Sequence, residues 1–160
     1  MNDLWAAPHG LHITLGALGD APVLAELHAA GFYRGWSQED FEAYLREPKR
    51  TPVYVATDAQ RRIAGFAVYK AVDEEAELLT ITVARRWRGK GVGGALMRAS
   101  LDDLRLSPVR RIFLEVEEGN QSAERLYRAF GFVEVARRSG YYAKPDGSAA
   151  TALVMRRDLG

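Results

Sequence analysis

The chain has 160 residues, and its 22 basic and 21 acidic side chains give a formal net charge of +1. This length suits one domain spanning residues 1–160, which buries roughly 70% of the surface of its unfolded chain. The near-neutral charge argues against a dedicated nucleic-acid binder, and the longest apolar run, Ile63–Tyr69, is too short to span a bilayer. The absence of cysteine excludes disulfides, thiolate metal sites and a cysteine nucleophile.

The remaining composition excludes further classes without selecting a function. The three histidines, His9, His12 and His28, have no zinc-like spacing, so we predict no metal site and treat them as structural or surface residues. The N-terminus lacks a basic segment followed by an apolar one, which is the pattern of a secretory signal. We therefore expect a cytoplasmic protein with no membrane partner and no direct nucleic-acid partner.

Caps, turn residues and hydrophobic periodicity predict seven strands and four helices. Asp20 is a candidate helix cap, Ser37 and Asp40 form a weak capping box, and Asn120 precedes the best-marked helix. The order indicates an α/β (α+β) protein with a mixed sheet. In chain order the elements are a strand His12–Leu15, helices from Asp20 to about Ala30 and from Ser37 to about Arg46, strands Val53–Thr57, Arg62–Ala71 and Glu75–Val83, a helix of about Gly91–Leu106, a strand Arg111–Val116, a helix of about Gln121–Phe130, and strands of about Phe132–Ala143 and Ala149–Arg157.

Two details of the strands are specific enough to test. Strict alternation along Glu75–Val83 assigns its side chains to two faces of the sheet. One face receives Leu79, Ile81 and Val83, and the other receives Leu78, Thr80 and Thr82. The final hairpin is predicted to turn at residues 145–147, whose sequence is Pro-Asp-Gly.

A glycine-rich loop, residues 85–94, joins the third strand of the predicted meander to the following helix. Its glycines allow backbone N–H groups to approach an anion closely, and the helix start adds its dipole. Four of the six residues from Arg85 to Lys90 are basic. This combination of free N–H groups and positive charge suits a pyrophosphate.

Several interpretations of this loop compete. A Walker A loop requires lysine directly after the last glycine, where Ala95 stands, so that pattern fails. Gly89, Gly91 and Gly94 satisfy the G-x-G-x-x-G pattern of a dinucleotide site, but that fold begins with its glycine loop, whereas several strands precede this one. A flexible, solvated turn is the remaining alternative.

A further pattern, Arg-x-x-Gly-x-Gly, is met by Arg88, Gly91 and Gly93. Here the chain resembles the GCN5-related N-acetyltransferases (GNAT) over nearly its whole length. The resemblance implies the GNAT fold, with a mixed, mostly antiparallel sheet of about seven strands and about four helices, and acetyl-coenzyme A as cosubstrate. Glycine at 89 and at 94 departs from many relatives, which carry longer side chains there. The coenzyme-binding residues that the resemblance implies are Ile81, Thr82, Val83, Arg88, Gly89, Lys90, Gly91, Val92, Gly93, Gly94 and Asn120.

A glutamate and a tyrosine are the candidate catalytic residues. Periodicity alone favours a solvent-facing glutamate at Glu115 and a core aromatic with a tethered hydroxyl at Tyr127. The motifs Leu-Glu-Val around Glu115 and Leu-Tyr-x-x-x-Gly-Phe around Tyr127 resemble the GNAT branch that acetylates protein N-termini. The resemblance implies that the glutamate accepts a proton and the tyrosine donates one. It also implies substrate contacts from Trp36, Tyr141 and Tyr142.

The chemistry of amine acetylation fits these residue types. The amine must be neutral to attack a thioester, so the site needs a base. A chain without cysteine favours direct attack in a ternary complex over a cysteine-linked acyl-enzyme. The expected partners are acetyl-coenzyme A and a protein N-terminus, such as that of a ribosomal protein. The alternatives are a GNAT enzyme for a small amine (an amino acid, polyamine or aminoglycoside) and a non-catalytic module that binds coenzyme A or RNA through Arg85–Lys90.

Overall fold

The structure is a computed structural model that describes residues 5–32, 35–143, 146 and 149–160; the side chains of residues 141–143 and 149 are not part of that description. Within these ranges it has eight strands and four α-helices. The strands are β1 (Trp5–Ala6), β2 (His12–Leu15), β3 (Val53–Thr57), β4 (Ile63–Val72), β5 (Glu75–Val83), β6 (Arg111–Glu117), β7 (Val133–Ala143) and β8 (Ala149–Asp158). The helices are α1 (Ala21–Gly31), α2 (Gln38–Leu45), α3 (Val92–Arg105) and α4 (Gln121–Ala129).

The strands form one mixed sheet in the order β1-β2-β3-β4-β5-β6-β8-β7. In the described part of the chain, β5 and β6 are the parallel pair, and every other neighbouring pair is antiparallel. The predicted class is confirmed, with one strand more than predicted. The extra strand is β1, which pairs through Trp5 and Ala6 and is too short to give a periodicity signal.

The helix starts follow local sequence signals. The Ser37 hydroxyl accepts from the Asp40 N–H at 3.1 Å, and the Asp40 carboxylate accepts from the Ser37 N–H at 2.9 Å, so the predicted capping box is confirmed. The Asn120 side-chain oxygen caps α4 by accepting from the Ala123 N–H at 3.3 Å. Asp20 differs from the prediction, because its carboxylate accepts from the N–H three residues before it and makes no side-chain cap on α1.

Helices cover both faces of the sheet and create two separate cores. The α3–α4 core lies between the sheet and the helices α3 and α4, and the smaller α1–α2 core lies on the opposite face. The α3–α4 core includes Tyr54, Tyr69, Leu78, Leu96, Met97, Leu114, Val116, Tyr127 and Leu153. The α1–α2 core consists of Ala21, Leu24, Phe41, Val53, Val55, Phe66 and Val68.

A β-bulge interrupts the regular pairing of β4 with β5. Val68 pairs with Thr80, whereas the next residue of β4, Tyr69, pairs with Leu78. Leu79 is therefore left as an extra residue on β5. A bulge of this kind shifts the alternation of every side chain that follows it along the strand.

The predicted assignment of side chains along β5 is wrong beyond this bulge. Leu79 packs against the α1–α2 core, but Ile81 and Val83 pack against the α3–α4 core. Thr80 and Thr82 then share the α1–α2 face with Leu79, and their hydroxyl oxygens lie 3.2 Å apart in a hydrogen bond. Strict alternation fails because the inserted residue depends on the partner strand, which the local sequence of β5 does not encode.

Candidate active site

The sheet opens between its two parallel strands. β5 and β6 pair from Glu75 and Arg111 as far as Leu78 and Leu114, and the pairing then stops. Both strands continue beyond this point, β5 to Val83 and β6 to Glu117. Among the described residues, the backbone of β5 beyond Leu78 therefore has no strand partner on the β6 side, so backbone groups that point to this side can hydrogen-bond to a ligand.

The glycine-rich loop lies at the far end of the opened part of β5. Gly89 and Gly91 have φ angles of +73° and +81°, in the left-handed region that favours glycine. Helix α3 begins immediately afterwards at Val92, and no side chain caps it. Its first N–H groups are consequently free to bind an anion, as the sequence predicts.

Two basic side chains of this loop, Arg88 and Lys90, interact with other groups of the protein. The Arg88 guanidinium donates from Nε to the Val83 carbonyl oxygen at 3.3 Å, which ties the loop to the end of β5. The Lys90 ammonium lies 5.4 Å from the centre of the Trp87 ring, and the His9 ring lies 6.4 Å from the same ring. Sequence reasoning missed this contribution of the N-terminal segment, since the segment shows no periodicity or motif.

Glu115 follows Leu114, the last paired residue of β6. Leu114 belongs to the α3–α4 core, so alternation places Glu115 on the α1–α2 face of the sheet. Its side chain is 18% exposed, and its Oε1 lies 3.2 Å from the Arg138 guanidinium. A second carboxyl, Glu77, lies nearby on the same face, and burial raises its pKa, with the Glu115 charge adding to the rise. The sequence predicts Glu115 but not this ion pair.

Tyr127 approaches the opening from the other face of the sheet. Burial in the α3–α4 core raises its pKa to about 12, and its ring packs edge-on against Phe132 at 6.0 Å. Tyr127 also raises the pKa of Tyr69, for which burial is the main cause, and Tyr69 pairs with Leu78 where the opening begins. Among the described residues no fully buried polar side-chain atom lacks a partner and no hydrogen bond involves the Tyr127 hydroxyl, so this hydroxyl is in contact with solvent.

The residues at the junction of β6 and α4 form hydrogen bonds and an ion pair that the sequence does not predict. The described hydrogen bonds of Asn120 use its side-chain oxygen as a helix cap, so its predicted contact with the coenzyme stays a prediction. Glu118 forms an ion pair with Arg137, and Glu124 accepts from the Gly119 N–H at 3.1 Å. The charge of Glu118 at the end of β6 is therefore partly neutralised by Arg137 of β7.

Trp36 belongs to an aromatic cluster between α1 and α2. The His28 ring is stacked between Trp36 at 4.3 Å and Phe32 at 4.2 Å, and its Nδ1 accepts from the Trp36 N–H at 3.1 Å. His28 is 2% exposed, and burial lowers its pKa to about 4. It is a neutral structural residue, as predicted, although nothing in its sequence context indicates the stack.

The end of α1 lies beside the glycine-rich loop. A Cβ atom built on Gly31 would be 4.0 Å from the Arg88 guanidinium, which itself binds the end of β5. The C-terminal end of α1 thus lies next to the arginine that ties the loop to β5. Tyr141 and Tyr142, the other predicted substrate residues, lie in β7 with side chains outside the described set, and most of the predicted 145–147 turn lies outside the described residues.

None of the described helices is long and apolar enough to cross a bilayer. Within the same ranges, His, Asp and Glu side chains form no group of three that could hold a metal ion.

The model of the acetyltransferase (GNAT) family matches residues 21–132, so the chain belongs to this family. Among its relatives, N-alpha-acetyltransferase RimI of Mycobacterium tuberculosis is 35% identical over 156 residues, covering 92% of this chain and 94% of that protein. The ribosomal protein bS18-alanine N-acetyltransferase of Haemophilus influenzae is 39% identical over 94 residues. This match covers 59% of this chain and 64% of that relative, which is less than two thirds of the relative's length.

The solved structures show the same fold. The crystal structure of the ribosomal-protein-S18-alanine N-acetyltransferase from Escherichia coli superposes with a TM-score of 0.85 at 27% identity. That alignment covers 94% of each chain. The predicted family and the predicted fold are thereby confirmed.

Proposed function

We propose that this protein transfers the acetyl group of acetyl-coenzyme A to the N-terminal α-amine of a protein, by direct attack within a ternary complex. One observation carries the proposal: Glu115 lies on β6 directly after Leu114, where β5 and β6 stop pairing, and Tyr127 lies in the core on the opposite face of the sheet. The names of the relatives support an α-amine and a ribosomal protein as the acceptor class.

The opening and the glycine loop fit acetyl-coenzyme A. The free N–H groups at the start of α3 suit its pyrophosphate, because backbone donors and the helix dipole both favour an anion. The backbone of Ile81–Val83 pairs with β4 on one side, and the groups that point to the β6 side offer hydrogen bonds to an extended, amide-containing chain such as pantetheine, in the way that a neighbouring strand would. When bound, the coenzyme supplies the thioester, and this chain supplies its alignment.

Glu115 serves the acceptor side of the reaction. An α-amine has a pKa near 8 and a lysine side chain one near 10.4, so the α-amine is easier to deprotonate by roughly 3 kcal/mol. A carboxylate that takes the proton directly or through one water is adequate for the α-amine. The position of Glu115 on the α1–α2 face indicates that the acceptor arrives from the side of Trp36 and α1.

Tyr127 serves the leaving group. With a pKa raised to about 12, its hydroxyl keeps its proton at neutral pH and remains a hydrogen-bond donor. Burial disfavours a thiolate as it disfavours a phenolate. The pKa of the tyrosine donor and the pKa of the departing thiol are therefore both raised. The hydroxyl therefore stabilises the developing charge on sulfur and delivers the proton that the thiol product carries.

Mass spectrometry tests the acceptor class. A peptide that begins with alanine, incubated with acetyl-coenzyme A and the protein, is expected to gain one acetyl group at its N-terminus. The same peptide with a blocked N-terminus is the matched control and is expected to gain none. Transfer to free alanine, a polyamine or an aminoglycoside without transfer to the peptide would replace the protein acceptor with a small amine. Coenzyme A binding without transfer to any amine would indicate a non-catalytic module.

A further inference from the structure

The candidate base already has a cationic partner in the protein. Oε1 of Glu115 lies 3.2 Å from a guanidinium nitrogen of Arg138, which extends from β7. The two partners differ in environment, since the glutamate side chain is 18% exposed and the arginine side chain is 54% exposed. A largely buried carboxylate is thus neutralised by a cation that remains in contact with solvent.

This guanidinium lies on the side from which the acceptor approaches. Arg138 pairs with Ala152 of β8, which in turn pairs with Glu117 of β6, so alternation places Arg138 on the same face as Glu115. An acceptor amine that reaches Glu115 from this face enters as an ammonium ion at neutral pH. It therefore meets a site where another cation already holds the carboxylate.

A second carboxylate lies beside Glu115 on the same face of the sheet. Glu77 pairs with Phe113 of β6, two residues before Glu115 on the same face of the sheet. Burial and the Glu115 charge raise the pKa of Glu77, while Lys70 and Arg138 lower it. Arg138 thus acts electrostatically on both carboxylates from one position.

We propose that Arg138 is the resting counter-ion of Glu115, that the acceptor ammonium displaces it, and that Glu77 then holds the released guanidinium. The inference rests on the proposed function, and it adds two specificity-determining residues to the acceptor site. No covalent bond changes in this step. One ion pair, Glu115 with Arg138, is replaced by two, Glu115 with the ammonium and Glu77 with Arg138. The exchange selects acceptors that arrive as cations.

The expected effects follow from the exposure of Arg138. An ion pair with one solvent-exposed partner is worth up to about 1 kcal/mol, which corresponds to roughly a fivefold change in affinity. Removing Arg138 frees Glu115 for the ammonium and should tighten acceptor binding by about threefold to fivefold. Removing the charge of Glu77 weakens the attraction for the displaced guanidinium and should weaken acceptor binding by a similar factor.

The experiment is a double-mutant cycle on acceptor binding. Calorimetry measures the affinity of the alanine-starting peptide for the complex with coenzyme A, which cannot react, and kinetics supply KM and kcat separately. The variants are Arg138→Leu, Glu77→Gln and the combination of both. Arg137→Leu is the matched control, because it removes the same charge from the neighbouring position, where the partners are Glu118 and Glu134.

The proposal expects tighter peptide binding and lower peptide KM for Arg138→Leu, weaker binding for Glu77→Gln, and no effect of Glu77→Gln once Arg138 is leucine. Arg137→Leu should leave the affinity unchanged. Arg138→Gln, which keeps a polar side chain, should reproduce the leucine result if leucine disturbs folding.

Two results would overturn the exchange while leaving the proposed function intact. One is a wild-type protein that binds and acetylates the peptide while Arg138→Leu and Arg138→Gln bind it no more tightly. The other is an effect of Glu77→Gln that persists in the double variant, which would show that Glu77 acts on the acceptor independently of Arg138. A peptide that binds neither the wild type nor any variant would overturn both proposals.

Discussion

The two faces of the sheet differ in the kinds of side chain that cover them. The α3–α4 face carries a large and mostly aliphatic core, which anchors α3 behind the glycine loop and buries Tyr127. The α1–α2 face carries a smaller core, extended by the aromatic stack around His28, and beside it the charged groups Glu77, Glu115 and Arg138. Close-packed apolar contacts hold one arrangement, whereas ion pairs with exposed partners can exchange.

This difference matches what each face is proposed to do. In the proposed function acetyl-coenzyme A is the same molecule in every cycle, and the glycine-rich loop proposed to bind it is followed by α3, which packs on the larger core. The acceptor is the variable partner, and it meets groups whose interactions are individually weak. The following predictions test whether coenzyme chemistry and acceptor chemistry are separated between the faces in this way.

The largest expected effect is on catalysis at Tyr127. Tyr127→Phe should lower kcat by about 10²- to 10⁴-fold, because the variant loses the donor to the leaving sulfur. Its stability should change little, since the hydroxyl forms no hydrogen bond among the described residues. Steady-state kinetics and urea unfolding measure the two effects.

Tyr69→Phe is the matched control in the same core. The Tyr69 hydroxyl lies 2.6 Å from the Ser100 hydroxyl, so this variant should lose about 1 kcal/mol of stability and retain kcat. Equal losses of kcat in Tyr127→Phe and Tyr69→Phe would show that packing, rather than the proton donor, is being measured.

The next effect concerns stability at acid pH on the α1–α2 face. The pKa of His28 is lowered by burial from 6.5 to about 4, so the unfolded chain takes up a proton below pH 6.5 that the folded chain does not accept until about pH 4. As the pH decreases from 6.5 to about 4, the free energy of unfolding should therefore decrease by up to about 3 kcal/mol. His28→Phe should remove this pH dependence, as measured by urea unfolding at several pH values.

His28→Phe also removes the acceptor of the Trp36 N–H. The resulting loss of stability should not vary with pH in this range. The diagnostic quantity is therefore the slope with pH and not the absolute stability. His12→Gln, at an exposed histidine, should leave the slope unchanged. A slope that survives in His28→Phe would assign the acid sensitivity to another group.

A smaller effect is expected in the glycine loop of the coenzyme side. Gly91→Ala should destabilise the protein by about 1–2 kcal/mol, because a residue with a Cβ is strained at a φ of +81°. Gly93→Ala should not destabilise it, since Gly93 lies in α3 and its Cβ would meet Leu126 at an ordinary 3.5 Å. Thermal unfolding of the two variants measures this difference, and equal destabilisation would contradict the conformational explanation.

The smallest effect is expected at the start of α2. Ser37→Ala removes the side-chain acceptor of the capping box and should cost about 1 kcal/mol. Gln38→Ala, one residue later on an exposed position, should change the stability by less than about 0.5 kcal/mol. Urea unfolding compares the pair, and an unchanged Ser37→Ala variant would mean that tertiary packing alone holds α2.

The sequence predicts features that depend on neighbouring residues and misses those that depend on distant ones. The capping box at Ser37 and the glycine loop are local, and both are where they were predicted. The bulge at Leu79 and the ion pair of Glu115 with Arg138 depend on strands that meet only after folding. The two predicted catalytic residues were found through their motifs, because periodicity alone gives no reason to single out either one.

The bulge at Leu79 shifts the alternation of side chains along β5 by one residue. Up to Leu79, odd-numbered residues of the strand face α1 and α2, and from Thr80 onward even-numbered residues do. A scan of β5 for side chains that touch the acceptor should therefore follow the odd positions as far as 79 and the even positions beyond it. Deleting the single residue Leu79 would restore regular alternation along β5 while keeping the side chains of Ile81 and Val83 on the α3–α4 core that now holds them.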